Sequence, residues 1–279
     1  MFPAQFEYHR AESLDEALSL LGQHGGAKVL AGGHSLLPMM KLRLAQPPAL
    51  VDIGRVGELR GIRRSGDSLR IGSLTTHAEV AASKEIRSGC AILAEAAGKI
   101  GDPHVRNLGT VGGNIAHADP ASDLPAVLVA LAATIHLKSA GGSRQVAAGD
   151  FFLDLLTTDM KPGEILTAVE VPVLQGAGSA YLKVEHPASG YAICGAAAVV
   201  DRNGGRTALA FNGVTAKPYH AKAVTDALGG DVSDESIDRA VAEHLAIDDP
   251  LGDVQASGEY RVELAKVWGR RALKAARDR

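Results

Sequence analysis

Cysteine is nearly absent: Cys90 and Cys194 lie far apart, each in an apolar stretch, SGCAIL and AICGAA. Two thiols cannot hold an iron–sulfur cluster or a structural zinc ion, so buried free thiols in a reducing, cytoplasmic compartment are expected. No apolar run reaches the ~18 residues of a membrane span; the longest, Leu124 to Ile135, falls short. The N-terminus MFPAQFEYHR mixes aromatics, proline and charge, so no targeting segment is expected. An excess of one charge sign is also missing. There are 29 basic and 32 acidic residues, net −3, which points away from nucleic acid. The one basic cluster (Arg270, Arg271, Lys274, Arg277, Arg279) reads as a solvated helix face. No GxGxxG occurs, which disfavours a Rossmann site, and no GxxxxGK[ST], GxSxG or HExxH occurs either. Internal repeats and low-complexity segments are absent.

What remains is an ordinary globular composition, 46% hydrophobic and 22% charged over 279 residues, enough for two or three packed units. Ser13 to Glu16 matches a capping box, and Leu14, Ala17, Leu18 and Leu21 follow at helical spacing, with Gly22 and Gly25-Gly26 as the stop. Ala27–Ala31 reads as a strand, Gly32–Ser35 as a turn with Ser35 capping a helix over Leu36–Leu42, and Ala49–Ile53 as a strand. Leu69–Gly72 is a further strand, and Thr76 to Glu79 a second capping box. Ile86, Cys90, Leu93, Ala97 and Ile100 form one helical stripe over 86–100. Residues 107–117 read as a glycine-punctuated loop, and Asp123–Leu131 as a buried helix capped by Ser122. Strands follow at 134–138, 144–148 and 164–171, the last closed by Pro172. Strands at Ser179–Val184, Ile193–Asp201 and Thr207–Val214, with a hairpin signal at Asn203-Gly204-Gly205, precede helices near 219–228, 233–246 and 258–277. In the last helix Tyr260 and Trp268 read as core packing.

Two segments carry chemistry: Ala31-Gly32-Gly33-His34-Ser35-Leu36, between a strand and a helix, and Thr110-Val111-Gly112-Gly113-Asn114. Side-chain-free residues let backbone N–H groups approach oxyanions, and a helix N-terminus adds partial positive charge. Ser35 and Thr110 add hydroxyl donors. A single Gly-Gly is an ordinary turn; two such segments support a phosphate-containing ligand and nothing narrower. His34, His77, His104 and His117 lie near them. Each alone reads more readily as a polar loop residue than as a catalyst, and His34 and His77 are kept as ligand contacts. No catalytic constellation is expected.

These residues resemble a known family. AGGHSL at 31–36, the following Leu37–Arg43, Leu50–Ile53, TVGGN at 110–114 and Asp119–Asp123 occur in the order found in the FAD-binding medium subunits of molybdenum hydroxylases, in particular the aerobic carbon monoxide dehydrogenase type. The same module is fused inside xanthine dehydrogenase. The resemblance spans essentially the whole chain. It implies an α+β fold of the PCMH or vanillyl-alcohol-oxidase type: a small parallel α/β subdomain over 1–56, a larger antiparallel α/β subdomain over 57–176, and a C-terminal antiparallel sheet with helices over 177–279. FAD would lie between the first two. The resemblance assigns its pyrophosphate to Ala31–Ser35 and also to Thr110, Val111, Gly112, Gly113 and Asn114, which reach on to the ribityl chain. It adds Asp123, a backbone contact at Leu166, Lys183, and Tyr191 beside the flavin ring.

The implied role is an electron relay in an oxidoreductase, with no substrate chemistry in this chain. A large subunit would hold the molybdenum cofactor and a small subunit two [2Fe–2S] clusters, assembled as a dimer of heterotrimers. NAD, dioxygen or a quinone would be the external acceptor. Two other readings stand beside it. A stand-alone FAD-dependent oxidoreductase of the same fold would need an acid–base set that is not evident. An assembly subunit that had lost its flavin would not need both glycine segments intact.

Overall fold

Three short strands and two helices make up the first fifty residues of the computed structural model, which describes residues 1–201 and 206–279. In chain order they are β1 (Glu7–Arg10), α1 (Leu14–Gln23), β2 (Lys28–Leu30), α2 (Leu36–Lys41) and β3 (Ala49–Asp52). The sheet order is β1-β3-β2, all parallel. The Ser13 hydroxyl accepts from Glu16 N and starts α1, but the Glu16 carboxylate turns to Glu12 N, so the box is only half made. Gly22 lies inside α1, which ends at His24. Leu14, Ala17 and Leu18 pack on Val51 and Ile53. Ser35 makes no side-chain cap bond to α2, contrary to the sequence reading, because its backbone is already helical (φ −111, ψ −50). β1 carried no strand signal of its own; it is an edge strand that exists by pairing with β3.

The next stretch contains β4 (Ile62–Ser65), β5 (Ser68–Gly72), α3 (His77–Ala82), α4 (Lys84–Gly89), α5 (Ala91–Gly98), α6 (Pro103–Leu108), α7 (Val111–His117), α8 (Asp123–Ala130), β6 (Thr134–Ser139), β7 (Gly142–Ala147), α9 (Ala148–Phe151), β8 (Phe152–Asp154), β9 (Thr157–Thr158) and β10 (Ile165–Pro172). Its main sheet, β4-β5-β10-β6-β7, is antiparallel. One face buries Leu69, Ile71, Ile135, Leu137, Val169 and Val171 against α5 and α8. Thr76 and Glu79 form the full reciprocal cap of α3.

Three expectations fail in this stretch. The stripe over 86–100 is two helices, broken at Cys90 (φ −156, ψ 66). The Gly89 carbonyl accepts from Leu174 N instead of continuing the helix, a tertiary contact invisible to periodicity. Residues 107–117 are not a loop: α6 ends at Leu108, and Thr110 caps α7 by accepting from Gly113 N at 3.1 Å. Ser122, read as a helix cap, makes no cap bond; its hydroxyl donates to Asn114 Oδ1 at 2.6 Å.

The last stretch holds β11 (Ala177–Glu185), β12 (Ala192–Asp201), β13 (Thr207–Asn212), β14 (Tyr219–His220), α10 (Lys222–Leu228), α11 (Asp234–His244) and α12 (Gly258–Arg277). The sheet β11-β12-β13-β14 is antiparallel. The hairpin signal Asn203-Gly204-Gly205 lies outside the described residues. β12 is buried from Ala192 to Val200, its alanines admitting α12 on one side and α8 on the other. In α12, Ala265, Ala272, Leu273 and Ala276 face the core and Trp268 packs at its edge, whereas Tyr260 is 53% exposed, so the two aromatics do not share a buried face. The basic cluster of α12 is more than a solvated face: Arg270, Lys274 and Arg277 pair with Asp234 and Asp238 of α11, and Arg279 reaches Glu95. Both cysteines are free and buried, and burial pushes each thiol up to about 12. Among the described residues no helix is long and apolar enough to cross a membrane.

Candidate functional site

A cleft of about 1020 Å³ runs between the β1-β3-β2 sheet and the stretch from β5 to β10. It sits where β2 ends and α2 begins, the usual ligand position at the carboxyl end of a parallel strand. Its volume lies at the top of the range for small-molecule pockets, which suits an extended ligand. Every residue from Ala31 to Leu36 lines it, as do Thr110, Gly112, Gly113, Asn114, His77, Asp123, Leu166 and Tyr191. The fold thus brings together residues that the sequence spreads over 161 positions, from Ala31 to Tyr191.

The first glycine segment holds the decisive feature. Among the described residues, the backbone N–H groups of Gly32, Gly33, His34, Ser35 and Leu36 have no protein acceptor. Unpaired N–H groups are costly to seal off, and five in succession at a helix start form a cradle for an oxyanion. Gly33 needs its glycine for φ +73. The His34 ring folds back, with Nδ1 2.9 Å from Gly32 O, and leaves the amides clear.

The second segment works differently. Its first-turn amides are already taken: Val111 N donates to Thr75 O, Gly112 N to Ser73 O, and Gly113 N to the Thr110 hydroxyl. Its glycines serve close packing. A Cβ on Gly112 would stand 2.4 Å from Ser73 Cβ, and one on Gly32 would stand 2.1 Å from Leu108 O. Gly112 is therefore pressed onto Ser73 and Gly32 onto the backbone at the end of α6, and the second segment offers the cleft the Asn114 amide more than its N–H groups. Asn114 Oδ1 is held by Ser122, which leaves the NH₂ as its free function. Val111 does not reach the cleft; it is 2% exposed and packs in the main core.

Asp123 and Lys183 form a buried pair, Nζ to Oδ1 3.0 Å, with side chains 6% and 1% exposed. Lys183 does not line the cleft. Its ammonium also donates to Lys99 O at 2.6 Å and Gly190 O at 2.8 Å, so its three protons are spent on protein acceptors. Tyr181 donates to Asp123 at 2.6 Å. Burial pushes the Asp123 carboxyl up, and Lys183 and Tyr181 pull it back down. The lysine therefore holds Asp123 at the cleft wall from behind. Tyr191 lies on the cleft with 45% of its surface exposed, and burial of its hydroxyl raises its phenol.

His77 is 2% exposed and packs against Gly109. Burial lowers it to about 4, so it is neutral at neutral pH. Its Nδ1 and the nearby Ser73 hydroxyl have no partner among the described residues. Sequence reasoning missed Ser73, and, apart from Leu166, also the far wall at 156–166. Arg144 braces that wall, bonding both oxygens of Glu164 at 2.6 and 2.8 Å and the Asp159 carboxylate at 2.5 Å. No local signal marks either, since both act through distant partners.

Residues 4–174 match the family described as the FAD binding domain in molybdopterin dehydrogenase, and residues 179–276 match the CO dehydrogenase flavoprotein C-terminal domain. The glyceraldehyde dehydrogenase medium chain of Sulfolobus acidocaldarius is 41% identical, covering 98% of this chain and 99% of its own. The carbon monoxide dehydrogenase medium chain of Hydrogenophaga pseudoflava is 40% identical, covering 99% and 98%. A solved structure of carbon monoxide dehydrogenase from Hydrogenophaga pseudoflava superposes with a TM-score of 0.96 at 41% identity, covering 100% of this chain and 99% of that one. Quinoline 2-oxidoreductase from Pseudomonas putida 86 gives 0.93 at 31% identity, with 100% and 99% covered.

Proposed function

The chain belongs to the FAD-binding medium subunits of the molybdopterin dehydrogenases, and from that premise we propose which of its residues hold the flavin and what the subunit meets in its assembly. It is an FAD-binding subunit of a multi-subunit oxidoreductase, with FAD as its cofactor. The relatives named are chains of such assemblies, which favours a relay subunit over a stand-alone flavoenzyme.

The observation that carries the site is the run of five unpaired N–H groups from Gly32 to Leu36. They fit the diphosphate of FAD, and the cleft has room for the rest. In this reading the Gly32–Leu36 amides bind the diphosphate. The Asn114 NH₂ donates to the ribityl chain or to a phosphate oxygen, and Thr110 fixes Asn114 by capping α7. Asp123, held by Lys183 and Tyr181, orients the polar side of the flavin. Leu166 packs on it, and Tyr191 shields its ring from water. His34 and His77 shape the wall. FAD held there would supply the electron-transfer chemistry that no side chain here offers. The proposed units are 1–56, 57–176 and 177–279.

The proposed partners are a large subunit carrying the molybdenum cofactor and a small subunit carrying [2Fe–2S] clusters, paired as a dimer of heterotrimers in the cytoplasm. The external acceptor is NAD, dioxygen or a quinone. Affinity purification of the tagged chain should bring down both partners with about one FAD per chain; purification alone and colourless would overturn the reading. Asn114→Asp tests the site. It keeps the acceptor for Ser122 and adds a negative charge beside the proposed phosphates, and it should weaken FAD at least about tenfold. Unchanged FAD affinity would remove Asn114 from the site.

A further inference from the structure

We propose that Glu7, His9 and His24 form a site for one divalent transition-metal ion of the zinc class, outside the residues assigned to the flavin. Glu7 and His9 stand two apart on the edge strand β1, which puts both side chains on one face. His24 is the residue that ends α1, its N–H donating to Leu20 O at 3.0 Å. The β1–α1–β2 fold brings that helix end against the strand, so three ligands converge from two elements.

The spacing is close to what a small cation needs. His9 Nε2 is 3.2 Å and His24 Nδ1 3.6 Å from the same oxygen, Glu7 Oε2. The three ligand atoms all lie within 4.8 Å of one another. Ligands held at zinc distances of about 2.0–2.2 Å in a tetrahedron stand roughly 3.3–3.6 Å apart. The two imidazole rings lie side by side, 4.0 Å between centroids and 28° between planes, and would splay apart about their side-chain torsions to point both nitrogens at one ion. One carboxylate oxygen facing two imidazole nitrogens is satisfied by a single hydrogen bond to His9, and the 3.6 Å approach of His24 is beyond one. A cation between the three satisfies all of them.

The surroundings favour positive charge. The last turn of α1 carries no basic residue to answer the negative end of its dipole. Two imidazoles and one carboxylate suit zinc, cobalt or nickel and not the oxygen-seeking magnesium or calcium. Both histidine side chains are 28% exposed and Glu7 68%, so water completes the shell and an entry path is open. His24, Gly25 and Gly26 also line the flavin cleft. A bound ion would tie the edge strand to the turn that forms one rim of the cleft, a structural clamp.

The test uses the purified holoprotein after chelator treatment, with ZnCl₂ and MgCl₂ as probes. Equilibrium dialysis should give one more zinc per chain for the unaltered protein than for His9→Asn/His24→Asn. Glu7→Gln alone should weaken that zinc at least about tenfold. Zinc should raise the melting temperature of the unaltered protein and not of the double variant. Flavin content, measured in parallel, shows that the variants are folded. Equal zinc stoichiometry and equal melting shifts in the unaltered protein and the double variant would overturn the proposal, as would magnesium binding as well as zinc.

Discussion

Replacing Lys183 by methionine should destabilise the protein by about 3–5 kcal/mol near neutral pH, the usual cost of removing one partner of a buried ion pair. The structure supports the upper part of that range. The side chains of Lys183 and Asp123 are 1% and 6% exposed, their contact is 3.0 Å, and the lysine also satisfies two backbone carbonyls, Lys99 O and Gly190 O. Methionine fills the volume and satisfies none of them. The loss should depend on pH in a definite direction. Burial already raises the Asp123 carboxyl above its ordinary value of 3.8, and the lysine opposes that rise. Without the lysine it rises further. A carboxyl raised on folding binds its proton more tightly in the native state, so stability falls as pH climbs from 3.8 through the folded value. The variant extends that window upward, so its deficit should be largest at pH 8 and shrink on acidification. Urea unfolding at a series of pH values, taken as the difference between the two proteins, cancels the other titrating groups. Lys183→Met/Asp123→Asn should recover part of the loss. A deficit under about 1 kcal/mol, or one that does not change with pH, refutes the account of the lysine as the brace of Asp123.

Other outcomes follow from the same geometry. Gly32→Ala places a Cβ 2.1 Å from Leu108 O and should push the first glycine segment off the end of α6, lowering FAD affinity at least about tenfold; Gly141→Ala, with nothing nearer than Ser139 Oγ at 3.7 Å, is the control, and equal flavin titrations for both would discard the close-apposition argument. Thr110→Val removes the cap of α7 and should cost about 1 kcal/mol in unfolding of flavin-stripped protein. Ser35→Ala, whose hydroxyl caps nothing, should stay within about 0.5 kcal/mol in the same assay. His77 is held neutral by burial, at about 4 against 6.5. Its contribution, about 3 kcal/mol, should be lost as pH falls from 6.5 to 4. His77→Asn should flatten that part of the acid-stability curve, and an unaltered curve would show that the proton goes elsewhere.

Some of the fold is legible because its causes are local. The Thr76 cap, the amphipathic α1, the strand-turn-helix around Gly33 and the alternating runs of β5 and β6 depend on residues a few positions apart. The glycine segment at 31–36 was legible for the same reason. Its neighbours dictate a turn into a helix start, and a helix start leaves N–H groups unpaired. The second segment misled. Gly-Gly within TVGGN has the composition of a loop, yet Thr110 caps a helix there and Gly112 exists to admit Ser73. Periodicity also merged α4 and α5, since nothing within 86–100 records that Leu174 takes the Gly89 carbonyl.

The sequence by itself determined the chemistry available: two glycine-rich segments with hydroxyl and amide neighbours, and an order of motifs that points to FAD. Only the tertiary structure decided how each residue uses that chemistry. Lys183, assigned to the flavin, turns its three protons inward because burial beside Asp123 leaves them nowhere better to go. Val111 faces the core because α7 turns that side inward. Glu7, His9 and His24 form a cluster only because β1 pairs with β3 and carries its face to the end of α1. Local sequence sets backbone conformation over a few residues, whereas donor direction, burial and charge pairing are settled by groups tens of residues away.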